Sequence, residues 1–162
     1  MVHPWATNAM RLGDVLNATQ ALAAAGDDPA VAEDMVKRFL TILATARADL
    51  NPAEALRDTE RFRTRVHRLC SGGLYLGFER VGTAARSLES RLTNHAPPEE
   101  IAAALAELNE AIQAALEPGE AALLAWLAHG ANTTLTHPHK DSLTYRLTDL
   151  PTYRLIDSQT HG

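Results

Sequence analysis

Residues 58–94 read DTERFRTRVHRLCSGGLYLGFERVGTAARSLESRLTN, and the apolar spacing in this stretch decides the fold class. Phe62, Val66, Leu69, Gly73 and Leu76 are separated by four, three, four and three residues. Phe78, Val81, Ala85, Leu88 and Leu92 repeat the pattern. Steps of three and four put each set on one narrow stripe of a helix, the seam of helix-on-helix packing. Asp58 or Thr59 caps the first helix, and Gly72-Gly73 and Gly77 predict its end by Gly77.

Upstream, a first helix is expected from about Leu12 to Ala25, stopped by Gly26. Asp28-Pro29 reads as an N-cap followed by a first-turn proline. It opens a helix whose inward stripe is predicted as Val31, Met35, Phe39, Ile42, Leu43, Ala46 and Leu50. Asn51-Pro52 either starts a short helical segment or kinks this helix. Downstream, Asn94-His95-Ala96-Pro97-Pro98 breaks the chain. Glu99 and Glu100 then suit the positive end of a helix that buries Ile101, Leu105, Leu108, Ile112 and Leu116. Pro118-Gly119 stops or kinks it before a last helical stretch, Glu120 to His129.

After Gly130 the helical pattern fades. Leu143-Thr144-Tyr145-Arg146-Leu147 alternates like a strand; no second strong strand completes a sheet, although Tyr153 and Leu155 could pair with it as a hairpin. The expected architecture is all-α. An antiparallel four-helix bundle has its principal helices at about 29–50, 59–76, 78–94 and 98–117, behind a short N-terminal helix. Residues 1–130 are expected to hold the bundle, and residues 131–162 an irregular, docking tail.

Composition narrows function. The chain has 162 residues, 46% hydrophobic and 5% aromatic, enough to bury a core without staples. Fifteen Lys and Arg against 20 Asp and Glu give a net charge of -5, which disfavours a nucleic-acid partner. No apolar run approaches a membrane span of roughly 18 residues. The first eight residues have neither a basic nor an apolar leader region, so the expected location is the cytoplasm. One cysteine, Cys70, leaves no disulfide framework. His67 and Cys70 form an H-x-x-C pair, which is half a zinc site at most. The remaining ligands would have to come from His137 and His139, with no spacing to support them.

His67 lies beside the apolar seam of its helix, with Arg63, Thr64, Cys70 and Ser71 three and four residues away. The two residues on its C-terminal side are small, which leaves the imidazole accessible to another protein. Arg63 and Arg68 are close enough to balance an arriving negative charge. The segment His67-Arg68-Leu69-Cys70-Ser71-Gly72-Gly73-Leu74-Tyr75-Leu76-Gly77 resembles the signature of histidine-containing phosphotransfer (HPt) domains. That signature runs His, any residue, Leu, usually Lys, Gly, then small residues, with a second Gly ten positions after the His. The nearest likeness is to the HPt segment ending BarA/GacS-type hybrid sensor kinases. Ala24-Ala25-Gly26, Met35 to Leu40 and Leu88-Glu89 agree, so the likeness spans about residues 15–117. Two positions depart from it: Cys70 stands for the usual Lys and Ser71 for the usual Gly.

The resemblance implies a phosphorelay intermediate, not an enzyme with its own pocket. His67 would accept a phosphoryl group from a receiver-domain aspartate and pass it to the receiver of a response regulator. Arg63, Thr64, Arg68, Cys70 and Ser71 would face the phosphoryl group or the receiver. The implied chain is a cytoplasmic monomer with no cofactor, no metal, no nucleic acid and no membrane. The receiver's helix is expected on the His67 helix and its neighbour around Phe78 to Arg86. The rival expectation is a degenerate HPt-like bundle that binds a receiver or kinase as a regulator or scaffold, without carrying phosphate.

Overall fold

The computed structural model describes residues 11–136, with the side chains described as far as Asn132. The strand reading of residues 143–147, its hairpin partner, His137 and His139 lie outside the described residues. Within them the chain is all-helical, and no strand is present.

Residues 11–15 are helical, and the chain then breaks at Leu16-Asn17. The expected single helix from Leu12 to Ala25 is therefore two pieces. The cause is local: the Asn17 side chain accepts from the Gln20 N–H and so caps a new helix, α1 (Ala18–Ala24). Asp28 accepts from the N–H groups of Ala30 and Val31 and opens α2 (Pro29–Asp49), as its Asp-Pro pair predicted. Asn51 caps the short α3 (Pro52–Arg57), so the Asn-Pro pair starts a separate segment rather than a kink. Asp58 caps α4 (Thr59–Leu76) through the Arg61 N–H. Then follow α5 (Glu79–Thr93), α6 (Pro98–Leu116) and α7 (Glu120–Thr136).

The seams predicted for α4 and α5 are the buried ones. Phe62, Val66, Leu69, Gly73 and Leu76 face inward on α4, and Val81, Ala85, Leu88 and Leu92 on α5. On α2 the inward stripe is turned by about one residue from expectation. Ala32, Val36, Phe39, Leu40 and Leu43 are buried, whereas Val31 and Ile42 are exposed. On α6 the buried set is Ala104, Leu105, Leu108, Ala111, Ile112 and Ala115, with Ile101 and Leu116 only half-buried.

α5 packs against α4 and α6, and α2 lies against α6, α4 and α1. The α4–α5 turn fixes this pairing. Gly77 ends α4 with φ 88°, a left-handed conformation that costs glycine nothing. The space where its side chain would stand is filled by Asn17 O, 2.5 Å from an ideal Cβ. Asn17 N donates to Gly77 O at 2.9 Å, Gln20 Nε2 to Tyr75 O at 3.1 Å and Tyr75 OH to Ala24 O at 3.0 Å, so α1 clasps this end of α4.

The compact unit that carries the core ends at Ala131. Leu123, Leu127 and Ala131 of α7 belong to that core, and Trp126 Nε1 donates to Leu16 O at 2.8 Å. Gly130, read above as the end of the helical region, lies inside α7. A Cβ at Gly130 would stand 2.7 Å from the Ala18 Cβ, so this glycine serves a close approach to α1 instead of a stop. The helix runs on to Thr136, six residues into the stretch expected to be irregular.

Among the described residues the core holds no buried charged or polar residue, but half-buried Asn109 keeps one orphan atom. Its Oδ1 is sealed from solvent without a hydrogen-bond partner. An unsatisfied acceptor costs about 1–3 kcal/mol. Asn109→Leu is therefore expected to raise stability by about 1 kcal/mol, seen as a melting point roughly 2–4 °C higher. A lower melting point would show that the amide has a partner worth keeping.

Candidate functional site

His67 stands near the middle of α4, where the capped start and the glycine stop hold the helix at both ends. Its position about 100° beyond buried Val66 turns the ring away from the seam. The His67 side chain is 60% exposed.

The ring is nevertheless oriented. Nδ1 lies 2.8 Å from Oε2 of Glu89, whose side chain comes from α5 and is only 20% exposed. A carboxylate has only acceptor atoms when ionised, so it selects the tautomer with its proton on Nδ1. The lone pair is then on Nε2, on the other side of the ring. Ser71 Oγ stands 3.5 Å from Nε2. Glu89 is itself positioned by α5, whose neighbouring Leu88 is fully buried.

Of the residues grouped with His67 by sequence, the structure keeps some at the surface and removes others. Thr64, Arg68 and Ser71 are exposed on the same helix. Thr64 Oγ1 donates to Glu60 O at 2.9 Å, which ties it to its own backbone. The Arg63 guanidinium is committed to Glu60 at 2.8 Å and lies 3.9 Å from the Glu89 carboxylate. The hydrogen bond that Arg63 donates to Glu60, and then the Glu60 charge, raises the Arg63 pKa and keeps the group cationic. Arg63 thus braces the Glu89 side of the ring and is not a free cation waiting for a ligand.

Cys70 is the clear correction. It is 7% exposed and belongs to the core, so it faces neither a phosphoryl group nor a partner surface. Roughly 80° separate it from the centre of the seam, against roughly 140° for His67. Its burial also separates it from His67 as a metal ligand. No group of three potential metal ligands occurs among the described residues.

Sequence reasoning missed Glu89. The residue is 22 positions from His67 and on another helix, and the Leu88-Glu89 pair noted above carries no sign of contact with His67. A register signal existed all the same. His67 lies ten residues before Gly77 and Glu89 eleven after Phe78, so a hairpin folded there sets the two opposite each other.

Compared with known proteins, the chain matches no family model, no curated sequence and no solved structure. No helix among the described residues is long and apolar enough to cross a membrane.

Proposed function

We propose that this chain is a phosphorelay intermediate, a cytoplasmic monomer in which α2, α4, α5 and α6 form the antiparallel four-helix bundle of the HPt type. The observation that carries the reading is an exposed imidazole whose Nδ1 is held by Glu89 while Nε2 has only a long contact to Ser71 Oγ. That arrangement prepares a nucleophile and does little else.

The chemistry is short. The Nε2 lone pair of His67 attacks the phosphorus of an aspartyl phosphate on a receiver. The P–Nε2 bond forms, the P–O bond to the aspartate breaks, and its electron pair leaves with the carboxylate. The ring becomes cationic with Nδ1–H still facing Glu89, whose negative charge opposes the new positive one. Attack by the carboxylate of a second receiver reverses these steps and restores neutral His67. Metal and acidic pocket belong to the receiver. This chain supplies an oriented nitrogen and a docking face, because phosphoryl transfer depends chiefly on positioning and charge neutralisation.

The docking face suggested by sequence runs along α4 and its neighbour around Phe78 to Arg86, where Phe78 itself is in the buried seam. A second candidate lies across α4. An open groove of about 330 Å³ between α2 and α4 has exposed Ile42 and half-buried Ala46 along it, over the buried Leu50 and Leu69, with Arg65, Arg68 and Asp49 at its edge. Ile42 is 50% exposed. Among the described residues neither arginine is in an ion pair. An apolar strip edged by free guanidinium groups suits the acidic rim of a receiver.

The test is a phosphotransfer profile: the purified chain is mixed with phosphorylated receivers, and acid-labile, base-stable phosphate on it is measured. Labelling by at least one receiver within seconds to minutes is expected, and a blank against all of them overturns the proposal. Glu89→Gln should slow labelling about tenfold, the equivalent of one charge-assisted hydrogen bond. An unchanged rate would remove Glu89 from the machinery.

A further inference from the structure

Ser71 differs from three threonines on these helices, and from Ser87 and Ser90, whose hydroxyls accept from Arg91 and Asn94 on their own helix or its cap. Thr41, Thr59 and Thr64 each donate to a backbone carbonyl four residues back, at 3.2, 2.8 and 2.9 Å. This is the usual local fate of a helical hydroxyl. Ser71 does not follow it. Its only hydrogen-bond partner among the described residues is His67 Nε2, at 3.5 Å. The side chain is exposed and stands where the HPt resemblance places a glycine, which could offer no donor.

At 3.5 Å the contact is at the limit of a hydrogen bond. It therefore ties up the Nε2 lone pair only weakly. The same position is better matched to the product. A phosphoryl group on Nε2 brings three charged oxygens into the space beside Oγ, and a hydroxyl donor bonds a charged acceptor more strongly than a neutral nitrogen. The hydroxyl is loose before transfer and engaged after it.

We propose that Ser71 Oγ–H donates to the phosphoryl group on His67 Nε2 and prolongs the phosphorylated state, so that the chain stores the group as well as passing it. This deepens the reading of His67 as phosphoacceptor and rests on it. The bond leaves Arg63 with Glu60.

The probe is phosphoramidate, which needs no partner protein. Nε2 attacks its phosphorus, the P–N bond of the donor breaks, ammonia leaves, and the P–Nε2 bond forms. The unchanged chain and Ser71→Ala are labelled, the donor is removed, and the decay of phosphohistidine to inorganic phosphate is followed by phosphorus NMR. Alanine is a good helix former at an exposed position, so the variant retains its fold. The phosphohistidine of Ser71→Ala is expected to decay about threefold faster, with a shifted phosphorus resonance that reports the missing donor. Equal lifetimes and an unshifted resonance overturn the proposal and leave His67 as acceptor. Absence of label on His67 in the unchanged chain overturns both.

Discussion

A chain carrying His67→Gln is expected to take up no phosphate, from phosphoramidate or from any phosphorylated receiver, while melting within roughly 2 °C of the unchanged protein. The two halves of that expectation have separate causes. Glutamine keeps the length and polarity of the side chain, but its amide nitrogen has no lone pair free for attack on phosphorus. Stability is spared because the imidazole is mostly in solvent and His67 is not part of the buried core. The loss should exceed about 100-fold, since no neighbouring group can replace the nucleophile. The chain has seven histidines, so label surviving in His67→Gln would relocate the acceptor. A scaffold that binds a receiver without chemistry gives a different result: the unchanged chain stays unlabelled, and His67→Ala leaves signalling intact.

How much of this was legible in the sequence depended on whether a signal was local. The α4 and α5 seams were readable because few apolar residues compete with them: Arg, Thr, Glu and Ser occupy most of the other faces. On α2, Val31, Met35 and Ile42 mark one face while Ala32, Val36 and Leu40 mark another. Only packing against α6, α4 and α1 selects the second. Gly130 misled for a related reason. Its role depends on Ala18, more than a hundred residues away, which no window along the chain includes. At the site, His67 itself stood out through its neighbours in sequence. Glu89 did not, because its carboxylate reaches the ring only when the hairpin is closed. Cys70 was misplaced by treating a three-residue step as the same face, although on α4 that step crosses from solvent to core.

Closing that hairpin depends on two missing side chains, and Gly73→Val is expected to open it. An ideal Cβ at Gly73 would lie 2.8 Å from Gly82 N, 3.0 Å from its Cα and 3.1 Å from Phe78 O. All three are backbone atoms, so no change of rotamer relieves the overlap. The contact is reciprocal, because a Cβ on Gly82 would meet Leu74 N at 2.8 Å. Valine adds two methyl groups to this clash, and α4 and α5 must separate to admit them. Overpacking of this kind costs about 3 kcal/mol, which for a chain of this length lowers the melting point by roughly 6–12 °C. Gly72→Ala provides the contrast: its new Cβ would meet the Phe39 ring edge at 2.7 Å, a side chain that can tilt, so its loss should be smaller. Function should follow the backbone. Separating α4 from α5 draws Glu89 away from His67 Nδ1 and frees the ring to adopt either tautomer. Phosphoramidate labelling of Gly73→Val should then slow at temperatures where the variant is still folded. A valine variant that melts within roughly 2 °C of the unchanged chain would mean that the two helices do not meet at Gly73 and Gly82, and the Glu89 contact would lose its structural support.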